Sequence, residues 1–465
     1  MIGGLGHFAR IYNPELVAAI LEECRAMILD MGAVTEADLR TTGPSPDEPL
    51  VPDGPWTEYW DDVNGGYLNS ELVKAAREKE REWVRKEKIY EIVPRQQCWD
   101  RTGRAPIPLK WVDTNKGDHR NPNYRSRLVA KEIKAKKKGT SEELGPSEVF
   151  SSMPPLEAFM ALVALWVVLI PSDYKLAMFD ISRAHFYGVA KREVYVELEQ
   201  EDRDQYGADK CGLLLRSMYG TQDASQIWQE DYTGLLTDHG FRRGQSNGAV
   251  FYNPESDTRA LVHGDDFLVL AKQADIDGFE AMLRSRCQLK KLANLGYGPT
   301  DSQSGVFLNR VVHILEGSRV LKPRVAVEPD SRHAQLIVRE LGLDERTKGT
   351  DVPMPKRTAE EQFRDWDSPA LGPEAAKLYR SCTMRVAYLA QDRVDLGEAS
   401  KTLARFMQQP NEGAMGLLKR VARYLIKHPQ TRRVFEDTKL PEKIRVFVDS
   451  DHAGCAVTRK STTGY

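Results

Sequence analysis

Two apolar runs in this 465-residue chain deliver acids where a hydrophobic pattern would not call for them. Tyr174 to Ile181 (YKLAMFDI) carries Asp180 directly after Phe179, and Ala260 to Ala271 (ALVHGDDFLVLA) carries the adjacent pair Asp265 and Asp266. Carboxylates gathered in a partly buried site repel one another unless they are protonated or neutralised by a cation. Hard oxygen donors of this kind suit Mg2+, which is held by a few carboxylates together with substrate phosphates. A pair of such ions clamps the attacking and leaving oxygens of an in-line displacement. The chemistry is attack at phosphorus, with the protein supplying position and charge. Each piece alone also has a plain structural role. Gly264-Asp265-Asp266 can be a solvent-facing turn, and Asp180 can cap a helix starting near Ser182.

Charge distribution adds a third observation. The formal net charge is only −2, yet Met1 to Ser70 holds twelve Asp/Glu against three Arg. Lys110 to Lys138 reverses this, with ten Lys/Arg against three Asp/Glu. A stripe of that density points to phosphates, although a solvated basic face has the same composition. The six cysteines lie more than seventy residues apart, which excludes a compact zinc finger and argues against a disulfide framework. Met1 to Arg10 has neither a basic start nor an apolar block, so no signal peptide is expected. The most apolar run, Leu156 to Ile170, is too short to span a bilayer and is expected to be a buried helix in a soluble, intracellular protein.

The elements that must position the acids follow from pattern. Gly264-Asp265 is an acceptable two-residue turn joining two strands. Leu109 to Lys131 reads as a hairpin, and Pro14 to Met31 and Asn69 to Lys88 as helices. Thr41 to Pro55 is rich in Pro, Gly and Asp and reads as linker. Tyr379 to Gln409 and Gly413 to Lys427 have helical periodicity. In the latter, Leu417, Leu418, Val421 and Leu425 form an apolar stripe beside Lys419, Arg420, Arg423 and Lys427. Trp111, Tyr219 and Trp228 are read as core, and His119 and His313 as incidental.

Six motifs in order carry a resemblance. YRSRLVAKE (Tyr124 to Glu132), FDISRAHFYG (Phe179 to Gly188), SMYGTQDASQIW (Ser217 to Trp228) and VHGDDFLVLA are followed by YRSCTMRVAYLAQDRVDL with LARFMQQP, and by FVDSDHAGCAVTRKSTTGY. From about Val73 onward the chain resembles the reverse transcriptase region of a copia-type retrotransposon Pol polyprotein, with the start of a ribonuclease H domain. The resemblance implies an α+β right-hand polymerase. Its fingers and palm would occupy 71–315, a helical thumb/connection 316–440 and a truncated ribonuclease H start 441–465, behind an acidic segment 1–70 of unassigned role.

Carried over residue by residue, Asp180, Asp265 and Asp266 become the catalytic acids and the ligands of two Mg2+ (or Mn2+) ions. Arg127, Lys110, His185 and Gln222 become nucleotide-binding residues, with His185 where a bulky ring would exclude a 2′-hydroxyl. Lys134, Lys136, Lys419, Arg420 and Arg423 become contacts to nucleic acid, and Asp449 the first acid of ribonuclease H. The implied partners are an RNA or DNA template-primer, deoxynucleoside triphosphates and other parts of the same polyprotein, with no membrane. The implied location is a cytoplasmic particle or the nucleus. Three departures stand out. His263-Gly264 replaces an aromatic-Val pair, which is expected to loosen the turn. Asp223 replaces a Gln near the nucleotide, where an acid is unfavourable. The chain ends at Tyr465, before further ribonuclease H acids, so that activity is not expected from it. Alternative readings are a non-catalytic element that binds nucleic acid and an RNA-dependent RNA polymerase, whose usual hairpin is Gly-Asp-Asp.

Overall fold

The structure, a computed structural model, describes residues 59–63, 65–117, 121–132, 149–315, 323–344, 346–436, 448–461 and 463–464. The stretches 14–31 and 41–55, His119, Lys134, Lys136 and most of 443–448 lie outside them.

Strands β1 (Tyr59–Trp60) and β2 (Tyr67–Leu68) pair ahead of a helix, Ser70–Lys86. Asn69 caps that helix, its side chain accepting from the Glu71 and Leu72 N–H groups at 3.1 Å. Glu71 in the first turn and Arg85 and Lys86 in the last suit the helix dipole. After β3 (Tyr90–Pro94) and a short helix, Arg95–Thr102, strands β4 (Leu109–Asn115) and β5 (Tyr124–Ala130) form the expected antiparallel hairpin. Val112 lies opposite Arg127, and Thr114 opposite Arg125.

The helix Leu156–Leu169 is apolar around most of its circumference and is buried accordingly, with Phe159, Val163, Trp166 and Val167 inaccessible. It leads into β6 (Tyr174–Ile181). Next come β7 (Tyr195–Val196) and β8 (Lys210–Leu214), which join β3 in a small sheet. The helix Ala224–Asp238 then precedes β9 (Arg242–Arg243), β10 (Val250–Asn253), β11 (Thr258–His263) and β12 (Asp266–Lys272). The helix Gln273–Arg286 connects β12 to β13 (Leu289–Leu295).

These strands build an antiparallel six-stranded sheet in the order β13-β6-β12-β11-β10-β9. Strand β6 lies between β13 and β12 and is buried on both faces. Ala177, Phe179 and Ile181 pack with Trp228, Tyr232, Phe267 and Phe279, while Leu176 and Met178 pack with Phe159 and Trp166. YKLAMFDI reads as a nearly continuous apolar run because structure covers both sides of the strand.

Beyond the sheet, β14 (Ser304–Phe307), β15 (Arg310–Ile314), β16 (Arg324–Glu328) and β17 (Arg433–Glu436) form a second antiparallel sheet. Between β16 and β17 lie the helices Arg332–Glu340, Ala359–Trp366, Pro373–Ala390, Gly397–Ala404 and Glu412–Lys427. The last carries the expected stripe, with Leu417, Leu418, Val421 and Leu425 buried in a helical core. Tyr379 to Gln409 is not one helix. It breaks at Gln391–Arg393, where Asp392 turns to a buried pair with Arg310 (2.8 Å) and Arg393 points inward. Arg393 there binds Asp395 at 2.7 Å and the His428 carbonyl at 2.8 Å. Two charge pairs outweigh helical propensity at that point. Finally, β18 (Asp449–Ser450) pairs with β19 (Thr463–Gly464). The architecture is α+β. Among the described residues no helix is long and apolar enough to cross a membrane, and the described cysteines are buried free thiols.

Candidate active site

The acids meet because of strand register. Strand β12 pairs with β6 so that Asp266 lies directly opposite Asp180. On the far side of β6, Lys290 lies opposite Asp180, and on the far side of β12, His263 lies opposite Asp266. Directly opposed residues share a sheet face, so Lys290, Asp180, Asp266 and His263 form one polar row across four strands. The same face buries Met178 and Leu176, two and four residues before Asp180 on β6. The row therefore marks where an apolar face gives way to charge.

Asp265 sits in the two-residue turn between β11 and β12. Its carbonyl accepts from the Ile181 N–H at 2.8 Å, tying the turn to the end of β6. Gly264 adopts φ +62°, the left-handed conformation this turn demands of its first residue. Its carbonyl accepts from the Trp228 indole at 2.8 Å. The looseness expected of His263-Gly264 is thus offset by a buried anchor. Trp228 is core, as read, and it also holds the acid turn.

No salt bridge among the described residues involves Asp180, Asp265 or Asp266. Burial, reinforced by the charges of Asp265 and Asp180, pushes the Asp266 carboxyl up to about 7, against a lowering by Lys116. Three oxygen-donor side chains that burden one another in this way fit a hard divalent cation. Among the described residues no group of three or more His, Cys, Asp or Glu forms a ready-made metal cage. A donor set this small suits Mg2+, which keeps waters and substrate phosphates in its shell.

The β4–β5 hairpin supplies the opposing charge. Lys116 and Arg125 are each pulled below their ordinary pKa, first by burial and then by neighbouring guanidinium charge, with Asp180 and Asp265 countering. Arg127 lies 5.0 Å over the Tyr219 ring, and its buried Nε has no hydrogen-bond partner among the described residues. The His185 ring meets Tyr219 edge-on at 4.7 Å. His185 Nδ1 and the Tyr219 hydroxyl are likewise buried without partners among the described residues. Burial lowers the His185 pKa to about 4, so its ring is neutral at working pH, and raises Tyr219 to about 12. Three unsatisfied polar atoms beside a carboxylate site are what a polar ligand would satisfy.

The sequence-level candidates divide in space. Asp180, Asp265, Asp266, Arg127 and His185 gather at this site. Lys110 faces Val129 across the hairpin, and its charge acts on Asp62; Lys116 is the cation that acts on Asp266. Gln222 offers its backbone N–H to Glu132 at 2.7 Å. Asp223 is bound by Arg192 at 2.9 and 3.0 Å, so the acid expected to trouble a nucleotide is neutralised within the protein. Lys419, Arg420 and Arg423 stand on the separate helical cluster, with Lys419 exposed. Asp449 opens β18. Lys116, Arg125 and Tyr219 were not singled out from sequence for this site. Their one available signal was membership of the basic stripe or of the SMYGTQD motif.

The site thus joins an antiparallel sheet with an acid pair at its turn to a hairpin that carries basic side chains. Residues 88–297 match the family described as reverse transcriptase (RNA-dependent DNA polymerase). The chain is 22% identical over 444 residues to the retrovirus-related Pol polyprotein from transposon TNT 1-94 of Nicotiana tabacum, covering 91% of this chain and 30% of that protein. It is 23% identical over 384 residues to the corresponding polyprotein from transposon RE1 of Arabidopsis thaliana, covering 79% and 24%. Among solved structures, a foamy viral protease-reverse transcriptase in complex with double-stranded DNA aligns with TM-score 0.37 and 11% identity, over 77% of this chain and 48% of that one. Telomerase from Candida albicans aligns with TM-score 0.33 and 12% identity, over 78% and 67%. The chain spans less than a third of the length of the curated relatives it matches. Residues 88–297 thus resemble a reverse transcriptase domain, and the chain is similar to the Pol polyproteins of these two plant transposons.

Proposed function

We propose that this chain is an RNA-directed DNA polymerase that extends a primer by template-directed nucleotidyl transfer. The observation that carries the reading is the register pairing Asp266 with Asp180 beneath a hairpin bearing Lys116, Arg125 and Arg127. The primer 3′-hydroxyl attacks the α-phosphorus of a deoxynucleoside triphosphate. A new oxygen–phosphorus bond forms, the bond to the β-phosphate breaks, and pyrophosphate leaves with the hairpin cations countering its charge. Asp180, Asp265 and Asp266 would hold Mg2+, or Mn2+. When bound, such ions neutralise these carboxylates and favour ionisation of the attacking hydroxyl. His185 and Tyr219 border the sugar, and the neutral His185 ring fills the space of a 2′-hydroxyl.

In this reading 71–315 are fingers and palm, 316–440 thumb and connection, and 441–465 a ribonuclease H start. Lys419, Arg420 and Arg423 meet the template-primer duplex, and the protein works inside the cell, in a particle or the nucleus, beside other parts of its polyprotein. Primer extension on an RNA template with Mg2+, comparing deoxy- with ribonucleotides, tests it. Deoxynucleotide extension that disappears in Asp265→Asn, with duplex binding retained, is expected. An active Asp265→Asn would remove the site assignment. Binding without any extension would leave a nucleic-acid-binding relic, and extension preferring ribonucleotides would indicate an RNA polymerase.

A further inference from the structure

The guanidinium of Arg192 joins two acids from distant parts of the chain. It donates to both Glu132 oxygens at 2.7 and 2.6 Å and to both Asp223 oxygens at 2.9 and 3.0 Å. Glu132 lies two residues beyond β5, the strand that carries Arg125 and Arg127. Its carboxylate also accepts the Gln222 N–H at 2.7 Å. Asp223 sits at the N-terminal cap of the helix Ala224–Asp238 but makes no capping hydrogen bond; its carboxylate is committed to Arg192. The same helix carries Trp228, whose indole holds the Gly264 carbonyl next to Asp265. Close by, the Ala130 N–H donates to the Tyr219 carbonyl at 2.8 Å. Gly220 makes that approach feasible, since a Cβ there would stand 2.0 Å from the Ala130 carbonyl oxygen. A continuous path thus runs from the arginine strand through Glu132, Arg192 and Asp223, along one helix, to the acid turn.

We infer that Arg192 is a positioning residue that sets the gap between the β5 arginines and the Asp265 turn, and thereby the affinity for the incoming triphosphate. The inference rests on the polymerase reading. Without Arg192, Glu132 and Asp223 would be two unpaired, largely buried anions beside one another, and mutual repulsion would lift β5 away from the helix. Arginine fits the task because one planar fork serves two carboxylates.

The test uses Arg192→Asp, Asp223→Arg and the double variant, each in the full chain. Two measurements are made. Hydrogen exchange reads the Ala130 and Gln222 amides, with the β12 amides as reference. Equilibrium binding of a deoxynucleoside triphosphate is measured on a dideoxy-terminated primer-template, where no chemistry occurs. In Arg192→Asp the two amides should exchange faster while β12 is unchanged, and nucleotide Kd should rise about ten- to a hundredfold. Duplex affinity without nucleotide should stay within about twofold, and the double variant should recover most of the loss by restoring an opposite-charge pair. Unchanged protection, faster exchange with unchanged nucleotide Kd, or a double variant no better than the single would each overturn the inference. A wild type that binds nucleotide with these dependences yet never extends a primer would sink the polymerase reading and leave the positioning role standing.

Discussion

Asp266 stands directly across from Asp180 on neighbouring antiparallel strands, and Lys290 and His263 continue the row on either side. Each acid is fixed by backbone pairing on a rigid, doubly covered sheet rather than by a loop. Burying a carboxylate beside like charges is unfavourable in isolation, and the upward displacement of the Asp266 pKa, caused first by burial and then by Asp265 and Asp180, expresses that cost. A site that holds its own donors in mutual repulsion is preorganised for cations, which is what the proposed phosphate chemistry requires.

The Trp228 indole is the single side-chain anchor seen on the Gly264 carbonyl among the described residues. Trp228→Phe removes the donor together with part of the buried indole. Loss of about 1–2 kcal/mol in urea-induced unfolding is expected, because a part-buried carbonyl loses its partner. Primer extension should fall alongside as Asp265 gains freedom. Stability and extension both matching wild type would mean the turn is held by its strands alone.

The His185 ring should make the fold acid-sensitive. Its folded pKa, near 4, is depressed by burial below the ordinary 6.5. The unfolded chain therefore takes up the proton first, and stability present above pH 6.5 is lost as pH falls toward 4. His185→Phe cannot bind that proton. Chemical denaturation across this window should show wild type losing on the order of 2 kcal/mol more than the variant, after allowance for partial exposure. Parallel pH profiles would show that the ring is not held neutral by burial.

Arg310 and Asp392 form a two-pronged pair at 2.8 Å, both side chains about 5% exposed. The pair ties β15 to the break between the helices Pro373–Ala390 and Gly397–Ala404. Asp392→Ala strands a buried guanidinium, and a loss of about 3–5 kcal/mol is expected. A doubly apolar variant, Arg310→Met with Asp392→Leu, should recover most of it. The measurement is a urea titration, and a single variant as stable as wild type would show that water reaches Arg310.

Much of this was legible before any coordinates. The β6 strand, the β11–β12 hairpin with its Gly-Asp turn, the β4–β5 hairpin and the helix Glu412–Lys427 are all written in short-range pattern. Apolar periodicity and turn residues report local backbone preference, and the motif order carried the resemblance to reverse transcriptases. The break at Gln391–Arg393 was not legible, because its cause is Arg310, far away in sequence. Asp223 looked like a liability for the same reason: its partner Arg192 lies 31 residues away and carries no local signature.

The sequence by itself determined most of the strands and helices, the break at Gln391–Arg393 apart, and which acids and bases a phosphate site could draw on, since those depend on residue type and near neighbours. Tertiary structure decided which of the basic residues face the acids. Lys116 and Arg125 act on the carboxylates, because hairpin register and the approach of β5 to the Tyr219–Asp223 loop set those distances. Electrostatic interaction depends on separation and burial, and neither is a property of a residue until the chain has closed around it.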